Sequence, residues 1–188
     1  PNIARHVSPA IMSYRGIQYQ SMAPTVMQTS ELRWLESHLW ILSGLYGCVR
    51  PFDAVMPYRL EMGAKLAIDD KRDLYAFWGD RLARTIASNS NATTVVNLAS
   101  VEYARAVLPH IGPKASIITC IFGEELRHGK PLQRASASKK ARGSMVRWMA
   151  EHAIEDACQL PAFNVGYRYT PELSSEDTLV FLNKATSF

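Results

Sequence analysis

Short β-branched runs alternate along this chain with stretches of helical periodicity, and that alternation restricts it to mixed α/β architectures. LWILS (39–43), VVNLAS (95–100) and SIITCIF (116–122) read as buried strands, because branched side chains fit a pleated surface better than a helix. Between them lie helical stripes. Ser30 followed by ELRWLESHL predicts a capped helix with Leu32, Leu35 and Leu39 on one face. DLYAFWGDRLARTIAS (73–88) predicts one helix burying Leu74, Phe77, Trp78, Leu82 and Ile86. A further helix is predicted from about Ser138 to Ile154, with Ala141, Met145, Trp148, Met149 and His152 facing inward. VGYRYTPEL and DTLVFLNK, on either side of SSED, predict a closing β-hairpin. The expected fold is α/β (mixed α+β): one domain over 1–188, a mixed sheet flanked by helices, and a C-terminal hairpin.

The 188 residues suffice for a sizeable core, and 47% hydrophobic with 20% charged residues is an ordinary globular composition. Cys48, Cys120 and Cys158 are far apart, with no C-x-x-C. That excludes a disulfide framework or a local zinc motif and fits a reducing compartment. No apolar run approaches the roughly 20 residues that span a bilayer, and no signal peptide is visible, so no membrane partner and a cytoplasmic location are expected. The five histidines show no ligand spacing, and no phosphate-binding glycine loop occurs. No cofactor and no metal are therefore expected. The chain starts at Pro1 in mid-pattern and reads as a fragment.

Four segments carry candidate chemistry. LRHGKPLQRASASKKARGSMVRWMA (126–150) holds Arg127, Lys130, Arg134, Lys139, Lys140, Arg142 and Arg147 and no carboxylate, and it alone makes a chain of net charge +4 basic. The predicted helix start places Lys139, Lys140 and Arg142 in the first turn, where the helix dipole disfavours cations and free N–H groups attract anions. The competing reading is a solvated basic face. VLPHIGPKAS (107–116) resembles the hairpin of a helix-hairpin-helix motif, but the β-branched run after it predicts a strand where that motif needs a helix. Cys48, two residues from Arg50, is either an activated thiol or a small buried side chain. LSGLYGCVRPFDAVMPYRLEMG (42–63) gathers Tyr46, Arg50, Asp53, Tyr58, Arg59 and Glu61. Its arginines, restrained by Asp53 and Glu61, either hold an irregular loop together or hold an anion.

SGLYGCVRPFD with MPYRLEMG, then DLYAFWGD, VVNLAS followed by EY, and SKKARG, in that order, closely resemble the bacterial YaaA family of peroxide-stress proteins. The resemblance runs over nearly the whole chain. The family's opening strand, its Ser-Pro-Ala-Lys motif and the helices that follow are not in this sequence. The resemblance implies a family-specific mixed α/β fold with a positively charged cleft. It implies a cytoplasmic protein of the hydrogen peroxide response, associated with DNA and with limiting iron-linked damage. It places the family's helix-hairpin-helix element in the absent N-terminal region and implies no established reaction. Matching positions with functional chemistry are Ser43, Tyr46, Arg50, Asp53, Tyr58, Arg59, Glu61, Trp78, Asn97, Ser100, Tyr103, Lys139, Lys140 and Arg142.

Two functions follow as expectations. In the first, Arg50, Arg59, Lys139, Lys140 and Arg142 contact phosphates of duplex or damaged DNA with little sequence preference, beside a pocket lined by Ser43, Tyr46, Asp53, Tyr58, Glu61, Trp78, Asn97, Ser100 and Tyr103. In the second, Arg50 and Arg59 clamp a small phosphorylated or nucleotide-like substrate, with Glu61 or Asp53 as acid or base.

Overall fold

A computed structural model describes residues 7–89 and 92–185. In chain order the elements are β1 (Ser8–Pro9), α1 (Ala10–Ser13), α2 (Ile17–Met22), α3 (Thr29–His38), β2 (Ile41–Ser43), β3 (Gly47–Val49), β4 (Ala54–Val55), α4 (Leu74–Trp78), α5 (Arg81–Ser88), β5 (Thr94–Asn97), α6 (Val101–Ala104), β6 (Ser116–Gly123), β7 (Glu125–Arg127), β8 (Lys130–Leu132), α7 (Ala135–Glu151), β9 (Tyr167–Tyr169) and β10 (Thr178–Asn183). The class is mixed α/β, as the alternation of patterns predicts. The chain divides into two compact units. The first is Pro1–Ser13, Glu36–Thr93 and Ala99–Ser116; the second is Tyr14–Leu35, Thr94–Leu98 and Ile117–Phe188.

The second unit contains a four-stranded sheet in the order β5-β6-β10-β9. β10 runs parallel to β6 and antiparallel to β9, so the sheet is mixed and the closing hairpin is present. Phe122, Phe163 and Phe181 are fully buried against it. Phe122 stacks on Phe181 at 5.5 Å, and Phe163 meets both edge-on, the offset arrangements that aromatic quadrupoles favour. α7 packs closely on α2, and Gly143 is what permits the approach: a Cβ there would run into the Gln18 carbonyl oxygen. The β7–β8 hairpin turns through His128 and Gly129, both at positive φ, as a tight two-residue turn requires.

α7 begins three residues earlier than the periodicity predicts. Its first turn is Ala135–Ser138, so Lys139, Lys140 and Arg142 lie in the second turn rather than at the helix N-terminus. Ser138 does not cap the helix; it is buried, with its hydroxyl donating to the Phe122 carbonyl at 3.4 Å. The dipole conflict inferred from the first-turn placement is correspondingly weaker.

In the first unit, β2 and β3 form a hairpin and β1 pairs with β4. The single helix expected over 73–88 is two helices. Asp73 caps α4, accepting from the Ala76 N–H at 2.8 Å, and Gly79 at φ 52 ends it, so α5 starts afresh at Arg81. Met62, Leu74, Leu82, Ala83, Ile86, Ala106 and Val107 form the core, with Trp40, Trp78 and Tyr103 packed on it. Residues 107–116 make a 3-10 turn at Leu108–His110 and then lead into β6, so the second helix of a helix-hairpin-helix is not formed. NSNATT (89–94) reads as a turn from its small polar residues, and its Ser90 and Asn91 lie outside the described residues.

Gly143→Ala should destabilise the protein by about 1–3 kcal/mol or more, since the added methyl meets backbone that cannot move aside cheaply. Urea denaturation monitored by Trp fluorescence checks this; an unchanged midpoint contradicts the packing described.

Candidate functional site

The polar side chains of 42–63 mostly engage one another. The Ser43 hydroxyl is fully buried, accepts the Tyr46 N–H at 2.9 Å and hydrogen-bonds the Tyr58 hydroxyl. The Tyr46 hydroxyl in turn accepts the Met56 N–H at 3.1 Å, and the two tyrosine rings meet edge-on at 5.4 Å. Trp78 reaches in from α4, its indole N–H donating to the Gly44 carbonyl at 3.1 Å. A proline-broken segment has few ladder partners for its backbone, and side chains supply them instead.

Arg50 is part of the same bracing. Its guanidinium lies over the Trp40 ring at 4.6 Å and donates to the Glu36 carbonyl. Asp53 accepts from the Arg50 backbone N–H at 2.7 Å, and among the described residues no ion pair joins it to the Arg50 guanidinium. Arg59 and Glu61 are exposed and likewise form no ion pair among the described residues. The expectation that Asp53 and Glu61 restrain the two guanidinium groups is thus corrected. Trp40 was invisible as the partner, because a cation–π contact ten residues away leaves no local motif.

Tyr103 lies nearby. Burial, then the negative charge of Glu102, raises its phenol above the usual tyrosine value, with smaller effects from Tyr58 and Glu61. Glu102 accepts from the Gly63 N–H at 2.7 Å, and its carbonyl accepts from the Tyr75 hydroxyl at 3.1 Å. Ser100 precedes α6 as its N-cap residue without a side-chain capping bond. Cys48 on β3 is half-buried. Burial first, then Asp53, pushes its thiol up to about 11, the opposite of what an activated peroxide-sensing cysteine needs.

The second unit carries Asn97, Lys139, Lys140 and Arg142. Asn97, at the end of β5, donates to the Thr119 hydroxyl at 3.2 Å. Of the seven cations in 126–150, two are neutralised by carboxylates just outside the block. Arg134 pairs with Glu125 at 2.9 Å, and Arg147 with Glu151 at 2.6 Å. Arg127 and Lys130 on the β7–β8 hairpin, and Lys139 and Lys140 on α7, are exposed and have no ion-pair partner among the described residues.

Arg142 differs from these four. Its Nε is buried with no hydrogen-bond partner among the described residues, and burial lowers the guanidinium pKa. A buried, unsatisfied donor on a charged group costs stability and gives nothing back within the unit. Sequence reasoning also missed a cluster at the ends of β6, β9 and β10. There Glu124 accepts from the Tyr167 hydroxyl and, at 3.1 Å, from the Asn183 amide. These residues are 43 and 59 positions apart, so only the sheet brings them together.

The fold is thus mixed α/β, with a braced, tyrosine-rich loop in one unit and, in the other, four exposed cations without ion-pair partners among the described residues. A family model described as peroxide stress protein YaaA matches residues 2–173, and the chain belongs to that family. A UPF0246 protein of Desulfitobacterium hafniense is 44% identical over 182 residues, 96% of this chain and 71% of that protein. One from Pediococcus pentosaceus is 47% identical over 177 residues, covering 94% and 69%, and one from Limosilactobacillus reuteri is 42% identical over 181 residues, covering 96% and 72%.

Replacing Arg142 by Met keeps its aliphatic bulk and removes the unsatisfied donor. Arg142→Met should therefore leave the melting temperature unchanged or raised. A scanning calorimetry trace with a clearly lowered melting temperature would show that Arg142 is a structural residue.

Proposed function

We propose that this protein acts in the cytoplasmic response to hydrogen peroxide by binding DNA, and that covering DNA limits iron-linked oxidative damage to it. The observation that carries this reading is the group of four exposed cations without ion-pair partners among the described residues: Arg127, Lys130, Lys139 and Lys140. Charges of one sign left uncompensated on one unit attract a polyanion, and binding releases the counterions condensed on it. Contacts of this kind go to phosphates, so they position the protein on duplex or damaged DNA with little sequence preference. Membership of the peroxide stress family supplies the physiological setting.

The alternative, an enzyme with a phosphorylated substrate clamped by Arg50 and Arg59, has less support. Arg50 is stacked on Trp40 and bonded to Glu36, so its guanidinium would have to give up existing contacts to meet a substrate. Arg59 and Glu61 remain exposed and would carry that reading alone.

The test is duplex DNA affinity across a salt series. Each phosphate neutralised contributes roughly −0.9 to the slope of log affinity against log salt, so Lys139→Ala/Lys140→Ala should flatten the slope by about 2. Affinity independent of salt, or untouched by the double substitution, would overturn the proposal.

A further inference from the structure

The outer face of α5 lies in the first unit and carries cations other than those of the stretch 126–150. Arg81, Arg84, Thr85 and Ser88 follow one another at helical spacing and, with Trp78, line an open cleft of about 390 Å³. None of the lining residues is acidic. Leu82, Ala83 and Ile86, on the other side of the helix, are buried in the core, so the backbone beneath the cleft is fixed.

Arg81 is held at three points. Its Nε donates to the Trp78 carbonyl at 3.1 Å, and its guanidinium lies over the Phe77 ring at 4.5 Å and the Trp78 ring at 5.3 Å. No carboxylate pairs with it among the described residues. An exposed arginine ordinarily loses side-chain entropy when it takes a ligand; one already stacked has lost most of it beforehand. With Nε engaged, the two Nη groups form an open fork, the geometry that meets two phosphate oxygens.

Arg84, one turn on, is paired only with Asp80 at 3.2 Å, and both side chains are mostly exposed. Such pairs contribute little, so a dianion can compete for the guanidinium. The Thr85 and Ser88 hydroxyls donate to the Arg81 and Thr85 carbonyls and add no charge.

We propose that this cleft binds the phosphate of a small phosphate monoester, with the Arg81 fork as the principal ligand and Arg84 as the second charge. The same oxygens occur in inorganic phosphate, in a nucleoside monophosphate and in a DNA backbone, and the experiment separates these sources. The full chain is titrated calorimetrically with inorganic phosphate, AMP, adenosine and a short DNA duplex, as wild type and as Arg81→Ala, Arg81→Lys and Arg84→Ala. Arg84→Ala removes an exposed side chain and its surface pair with Asp80, and the melting temperature of every variant guards against a folding defect. Saturable binding of phosphate and AMP but not adenosine is expected, weakened about tenfold or more by Arg81→Ala and only partly restored by Arg81→Lys, which keeps the charge without the fork. Absence of saturable binding, equal binding of adenosine, indifference to both Arg81→Ala and Arg84→Ala, or binding of the duplex alone would each overturn the site. The DNA-binding proposal rests on Arg127, Lys130, Lys139 and Lys140 in the other unit, so the phosphate, AMP and adenosine arms leave it untouched, and only the duplex arm bears on it.

Discussion

The buried Ser43 hydroxyl is the constraint on which the first unit's loop depends. It sits where β2 ends, fully enclosed, and meets both the Tyr46 backbone and the Tyr58 side chain. A hydroxyl enclosed without partners would be costly, and the loop around it has few strand neighbours to complete its hydrogen bonds. Tyr46, Tyr58 and Trp78 answer both needs at once, each closing one bond back onto the loop. The density of polar side chains in 42–63 is thereby largely accounted for by the loop's own closure.

The cations separate by what they touch. Arg50 has an aromatic face and a carbonyl within the fold. Arg134 and Arg147 have carboxylates. Arg127, Lys130, Lys139 and Lys140 have no such partner among the described residues, and Arg142 has a buried nitrogen that nothing in its surroundings satisfies. Groups that the fold does not need, or keeps at a cost, are where a ligand is best sought. The proposed DNA contact is therefore sought on the stretch 126–150 rather than on the longest motif.

Much of the fold was legible because it follows from periodicity. β6 and the C-terminal hairpin fall where SIITCIF, VGYRYTPEL and DTLVFLNK predict them, since β-branched and alternating runs have few other options. The failures were local and have local causes. Gly79 splits a helix whose apolar stripe runs through the break, and a stripe carries no record of one φ angle. Ala and Ser at 135–138 lack a periodic signal, so α7 was entered three residues late. The cation-rich block was visible from composition. Its partition into paired and unpaired charges was not, because Glu125 and Glu151 lie just outside it. Trp40 beneath Arg50, and Glu124 beside Tyr167, depend on tertiary placement that no spacing encodes.

A double-mutant cycle on Ser43→Ala and Tyr58→Phe, with stability and DNA affinity measured on each variant, separates a Ser43 loop that is structural from one that contributes to the proposed DNA binding. If the loop is structural, a coupling of about 1 kcal/mol in unfolding free energy is expected, since the two hydroxyls satisfy one another, with unchanged DNA affinity for every folded member of the cycle. Additive or negligible stability effects together with lost DNA affinity would contradict it and return the loop to the functional site.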